Sequence, residues 1–359
     1  MKNINKILKT ALLACVAVLT FSCSTTNDNN EVIVPKTSIL EIAKADPNLS
    51  ILVAAIKKTG LDNPGSSPLS TAGSYTVFAP TNAAFASSTT YTLESINALT
   101  SPADDVVIGK LKQIVLNHIL SGGVRSDDFV TNSYVKTFAT GIGSSAMSMY
   151  ITKTATDVIL NGGSANLGAK VTAANISASN GIIHVVDKVI LLPTLVSMAK
   201  ANPDFSTLVT VLSGTATTPG TFGDQSAVLT ALTGATPSAA LTVYAPLNSA
   251  FAAATTGTGF LTGAVVTPAN VTKVLQYHVD GTTNRVATAT AFSATADITV
   301  TTLYKILTVD QKFFIPKNKL QITELPAITT VAPSNIKVTN VQTSNGIIHA
   351  IDRVLQPVL

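Results

Sequence analysis

The chain has 359 residues, of which 46% are hydrophobic and only 12% charged, and it contains no tryptophan. That length fits two domains of ordinary size, and the apolar share can build their cores. The net charge of +4 sits at the start: Lys2, Lys6 and Lys9 precede every acidic residue, and without them 20 basic residues face 19 acidic ones. A near-neutral body with no run of Lys or Arg excludes an electrostatic footprint for nucleic acid.

Residues 1–22 read as a secretory signal peptide. Three lysines form its basic region, and the apolar run Ala11–Phe21 is too short to span a bilayer. Both cysteines, Cys15 and Cys23, lie in or at the end of this leader, so the mature chain keeps one and no disulfide forms within it. Leu19-Thr20-Phe21-Ser22-Cys23 resembles the lipobox of bacterial lipoproteins, although Leu19 falls one place early and Phe21 is bulky. The resemblance implies a lipid on Cys23 and attachment to a bacterial envelope membrane, the outer one being expected. Surface and periplasmic faces stay open. Residues 23–35 are a polar tether that cannot bury anything.

Beyond the tether, Ile39–Lys58 has apolar residues at helical spacing interrupted by Pro47, which predicts two short helices. Thr76–Ala79 is a buried strand ended by Pro80, and the residues after it start a helix. Thr81 is a candidate N-cap there, but Leu247 replaces it in the second copy, which leaves Asn82 and Asn248 as the common capping candidates. Asp105–Leu120 reads as an amphipathic helix stopped by Ser121-Gly122-Gly123. Residues 134–178 read as short Thr/Val/Ile-rich strands, and Ile182–Leu192 as a long strand entered through an Asn180-Gly181 turn.

These elements occur twice. Asn-Gly-Ile-Ile-His stands at Asn180–His184 and again at Asn345–His349, followed by Val-Val-Asp-Lys-Val and Ala-Ile-Asp-Arg-Val. Ile42–Pro47 matches Met198–Pro203, Thr76–Phe85 matches Thr242–Phe251, and Leu116–His118 matches Gln276–His278. A period of about 165 residues means a duplicated domain, since solenoid units repeat every ~20–50 residues. Domain 1 is placed at 36–193 and domain 2 at 194–359. The short join at Pro193, with no Gly/Ser linker, predicts a nearly fixed orientation.

The two ordered blocks, Thr76–Phe85 with Asn180–Pro193 and Thr242–Phe251 with Asn345–Leu359, resemble the fasciclin-like (FAS1) domain family. The resemblance covers nearly all of 36–359. It implies a β-rich mixed α+β class, two tandem wedge-shaped β-sandwich domains with short helices packed against the sheets. The family usually carries Asp where this chain has Asn82 and Asn248, and Tyr-His where domain 1 has Asn117-His118.

All four histidines pair across the copies, His118 with His278 and His184 with His349. His184 with Asp187, and His349 with Asp352, suggest ligand pairs, but residues three apart on a strand point to opposite faces. Two histidines are also a thin zinc set. The structural reading is therefore preferred for His184, Asp187, His349 and Asp352: buried polar groups tie helix to sheet. No Gly-x-Ser-x-Gly elbow, Walker loop or mature thiol pattern is present, so no enzyme, cofactor or metal is expected. Tyr134, Tyr150 and Tyr304 read as half-buried strand residues. Tyr277 and His278, with His118, are the partner-contact candidates that the resemblance implies. The expected function is a lipid-anchored envelope protein that binds an extracellular protein or matrix component. The alternative is a polysaccharide- or small-ligand-binding lipoprotein of an uptake system. Its oligomeric state is open.

Overall fold

The computed structural model describes residues 37–359 except 66, 70, 88–90, 215–221, 257–258, 264–265, 282–296, 307–308, 317–318 and 325–331. The signal peptide, Cys23 and the tether lie outside the described residues. No helix among the described residues is long and apolar enough to cross a membrane.

Domain 1 opens with helices α1 (Ile39–Ala45) and α2 (Ser50–Lys58), separated by a 3-10 turn at Pro47–Leu49, as the apolar spacing and Pro47 predict. A capping box starts α1: Ser38 Oγ accepts from Glu41 N–H while Glu41 accepts from Ser38 N–H. Strand β1 (Tyr75–Pro80) leads into α3 (Asn82–Ala86), then α4 (Leu93–Ala98) and α5 (Asp105–Asn117). The remaining strands are β2 (Ile119–Ser121), β3 (Ser133–Thr140), β4 (Ala146–Lys153), β5 (Val158–Leu160), β6 (Ala169–Ala178) and β7 (Gly181–Val186). They pair in chain order, and β7 closes the circuit by running parallel to β1, with Tyr75 opposite Gly181 and Phe78 opposite His184.

Domain 2 repeats the plan with α6 (Leu195–Ala201), α7 (Ser206–Leu212), α8 (Ser226–Gly234), β8 (Leu241–Pro246), α9 (Asn248–Thr255) and α10 (Pro268–Tyr277). Its strands continue as β9 (Val279–Asp280), β10 (Ile298–Ile306), β11 (Val309–Ile315), β12 (Gln321–Glu324), β13 (Ser334–Gln342) and β14 (Gly346–Ile351). Here β14 runs parallel to β8 and again closes the sheet.

The first strands, β1 and β8, are buried on both faces, which is why they read as nearly continuous apolar runs. Val77 and Ala79 face a core under the helices, while Phe78 faces a second core inside the strand circuit with Met149 and Leu160. Val243 and Tyr244 divide in the same way in domain 2.

Three expectations are corrected. The helix expected to reach Leu120 stops at Asn117, because the Ile119–Ser121 backbone pairs with β1. The strand expected to reach Leu192 ends at Val186, because Asp187 Oδ1 takes the Lys170 N–H at 2.7 Å and turns the chain off the sheet. Asn82 and Asn248 do not cap their own helices. Thr81 Oγ1 caps α3, and Leu247 leaves α9 without a side-chain cap. Asn82 reaches back to α2, whose own N-cap, Leu49, has no side-chain hydrogen bond. Its Oδ1 accepts from Ile51 N–H at 3.0 Å, and its Nδ2 donates to Pro47 O and Ser50 Oγ. Asn248 makes the same three bonds to Thr207, Pro203 and Ser206.

The two domains are joined at Pro193–Thr194 and share a polar seam. Ser344 N–H donates to Pro193 O at 2.7 Å, and Gln342 N–H donates to Ser148 Oγ at 3.0 Å. Lys136 Nζ donates to Asn340 O at 2.8 Å, and Asn166 Nδ2 donates to Ser197 O at 2.8 Å. Asn202 bridges two domain 1 tyrosines, accepting from Tyr150 OH and donating to Tyr134 OH. Tyr150 and Tyr304 are fully buried where partial burial was expected, whereas Tyr134 is half-buried. The ring of Tyr150 joins the helix-side core of domain 2.

Loss of a helix cap costs about 1 kcal/mol, and distant sites add. Asn82→Ala and Asn248→Ala are each expected to lower stability by roughly that amount, and the double variant by their sum, read as urea midpoints. A nearly fixed orientation predicts one domain separation by small-angle scattering. A broad distribution of separations counts against it.

Candidate functional site

The repeated pentapeptide ties a closing strand to a distant helix in each domain. Asn180 Oδ1 accepts from Ile39 N–H at 2.8 Å, at the first turn of α1, while its Nδ2 is directed at the carbonyls of Pro68, Leu69 and Thr71. Asn345 does the same for α6 through Leu195 N–H, and donates to Leu232 O. Gly181, at φ +149°, lies so close to β1 that a Cβ would sit 2.0 Å from Tyr75 O. At Gly346 a Cβ would sit 2.4 Å from Leu241 O. Only glycine permits this approach of the closing strand.

The histidines fall into two types with opposite tautomers. His118 is the C-cap residue of α5. Its Nδ1 donates to Ile114 O at 2.7 Å and its Nε2 accepts from Ile190 N–H at 2.9 Å. His278 repeats this with Val274 O at 2.7 Å and Leu355 N–H at 2.8 Å. The proton is on Nδ1 in both, since a carbonyl only accepts and an amide N–H only donates. His184 is the reverse: Nδ1 accepts from Asn175 N–H at 3.3 Å and Nε2 donates to Val124 O at 3.0 Å. His349 Nδ1 accepts from Asn340 N–H at 3.2 Å. These strand histidines hold bulges at which Asn175 and Asn340 take positive φ of 64° and 56°.

Burial pushes His118 and His278 down to about 4, against the opposing effect of their backbone carbonyl partners. Desolvation also lowers His184, helped by Arg125. His118, His278 and His184 have both ring nitrogens engaged by backbone groups, which leaves no free nitrogen pair among them to offer a metal. Asp187 and Asp352 point away from them. Asp187 caps Lys170 N–H, and Asp352 accepts from Asn335 N–H and Nδ2 and pairs with Lys337 at 3.2 Å. Among the described residues no group of three or more His, Cys, Asp or Glu is placed to hold a metal ion.

The expected partner-contact residues are not at the surface. Tyr277 is 1% exposed, His278 3% and His118 2%. Tyr277 OH donates to Lys312 O at 2.9 Å. At the matching position of domain 1, Asn117 donates to Leu191 O and accepts from Thr137 Oγ1. Only the resemblance pointed to exposure at Tyr277, and the β11 residues that cover it, Lys312 and Phe313, lie far along the chain. The seam residues Lys136, Ser148, Asn202 and Gln342 were also missed. Their only signal was a difference between copies, such as Asn202 against Asp46.

Enclosed space is small. The apolar void under α6, α7 and α8 measures about 40 Å³, and that under α1 and α2 about 10 Å³. Small-molecule sites typically need about 300–1,000 Å³. The larger hollow, about 630 Å³, is an open groove beside α1, α2 and α4 that includes Lys44, Asp46, Lys57 and Leu93.

The profile described as the fasciclin domain matches residues 47–193 and again 203–357. The chain belongs to the fasciclin domain family. Among curated proteins it is similar to Protein sll1483 of Synechocystis sp. (strain ATCC 27184 / PCC 6803 / Kazusa), with 34% identity over 156 residues, 44% of this chain and 74% of that protein. It is also similar to the uncharacterized protein sll1735 of the same organism, with 31% identity over 156 residues, 43% of this chain and 98% of that protein. Among solved structures it is similar to a FAS1 domain pair from the insect cell adhesion molecule Fasciclin I. That likeness has 16% identity and a TM-score of 0.44, and covers 86% of this chain and 96% of the other. Fasciclin domains are generally associated with adhesion and interaction.

In both fasciclin domains the helix-end histidine makes stability pH-dependent. The folded pKa lies below the ordinary 6.5, so the unfolded state binds more protons between the two values. Stability is expected to be complete above pH 6.5, to fall as pH drops toward 4, and to lose nothing more from these groups below that. The full loss is about 3 kcal/mol per histidine. Urea midpoints across this range check it, and His118→Gln with His278→Gln should flatten the slope.

Proposed function

We propose that this protein is a lipid-anchored cell-envelope interaction protein that binds an extracellular protein or matrix component through its outer surface. Membership of a family associated with adhesion and interaction supports the class. The observation that carries the reading is where the chemistry sits. The four histidines and Tyr277 are at most 3% exposed and engaged with backbone, and the enclosed voids are far below ligand size. What remains for recognition is surface: bulged strands, loops and an open groove. A lipid on Cys23 and the polar tether would hold that surface a short distance from the membrane, because two or more acyl chains anchor stably.

Cys23→Ser is expected to abolish labelling by a fatty-acid analogue and release the protein from the membrane fraction. Protease shaving of intact cells, followed by capture with the full chain, identifies the partner. Glycan binding with no protein partner would replace this reading with that of a polysaccharide-binding lipoprotein.

A further inference from the structure

The seam between the domains joins two different surfaces. Domain 1 contributes the β3–β4 face, with the cross-strand pairs Lys136–Ser148 and Tyr134–Tyr150. Domain 2 contributes the bulge Asn340-Val341-Gln342 on β13 and Asn202 after α6. Each domain owns both kinds of surface, so a pair joined in this way leaves one of each unused. A heterologous contact of this sort does not satisfy itself, and it propagates as a ring or filament when copies meet.

Both unused halves are visible. The register that places Ile183 opposite Ile176 and Ile348 opposite Val341 makes Asn175-Ile176-Ser177 of domain 1 the counterpart of Asn340-Val341-Gln342. The bulge geometry is the same, with the Asn N–H on a strand histidine and positive φ. The burial differs: Val341 is 2% exposed, whereas Ile176 is 37% exposed, and Ser177 is exposed where Gln342 is buried. Asp46, the counterpart of Asn202, is only half-buried.

At the other end, Leu120 faces Thr137 and Asp280 faces Thr302, which aligns β10 with β3. The pair Lys136–Ser148 then corresponds to Thr301–Lys312, an ammonium and a hydroxyl with their strands exchanged. Tyr134–Tyr150 corresponds to Thr299–Phe314. Thr299 and Lys312 are exposed, and Thr301 and Phe314 half-buried.

We propose that the chain associates head to tail with a second copy, the Asn175–Ser177 bulge of one docking on the Thr299, Thr301, Lys312 and Phe314 face of the next. Ile176 takes the place that Val341 has in the seam, and the Lys312 ammonium reaches the bulge carbonyl as Lys136 reaches Asn340 O. This deepens the interaction reading by naming one partner as the protein itself.

The test is sedimentation velocity of the full chain in detergent over a wide concentration range. The wild type is expected to form open-ended oligomers that grow with concentration. Ile176→Glu and Phe314→Glu should each weaken association at least about tenfold, because each buries an unpaired charge. Each variant keeps one intact half, so an equal mixture should form dimers and nothing larger. Lys312→Glu replaces Phe314→Glu if the latter lowers the melting temperature. A wild type that stays monomeric, variants that associate as before, or a mixture that gives no dimer each overturns the proposal. If the Ile176→Glu protein still supports cell adhesion, the interaction reading stands with a different partner.

Discussion

The parallel pairing of each domain's first and last strands is the constraint on which the rest depends. It demands that a backbone pass within contact distance of Tyr75 O in one domain and Leu241 O in the other, which only Gly181 and Gly346 allow. Once the strand is seated, its neighbours follow. The preceding asparagine is delivered to the first turn of a helix, the second isoleucine packs into the helix-side core, and the histidine meets a bulge. The chain leaving the strand then passes the end of α5 or α10, where a second histidine receives its amide.

This arrangement replaces what longer elements would provide. Many helices here are short, and isolated helices of such length are marginal in water. They persist because side chains from distant strands and turns hold their termini. Asn82 and Asn248 hold α2 and α7, and Asn180 and Asn345 hold α1 and α6. The buried asparagines and histidines described above are thus framework.

Duplication, the two short helices around Pro47 and the β-rich second half of domain 1 were legible because each rests on local pattern. Element ends were less so. Apolar residues after Asn117 continue the helical rhythm, and only pairing with β1 tells that Ile119 and Leu120 are strand. Likewise nothing local to Asp187 says that it will cap Lys170 and end β7. Asn82 looked like a cap for its own helix because capping is normally judged from neighbours in sequence, and its target lies 31 residues earlier. Tyr277 was misplaced for the same reason, since its burial is set by β11, far along the chain.

The position of Tyr150 gives the pair a direction. The two cores of domain 1 are assembled without that ring, whereas the helix-side core of domain 2 includes it. The packing dependence therefore runs one way: neither core of domain 1 takes in a side chain from domain 2, whereas the helix-side core of domain 2 takes in Tyr150. A gene fragment carrying only the second half would lack a piece of its own interior, so in packing the two copies are no longer interchangeable.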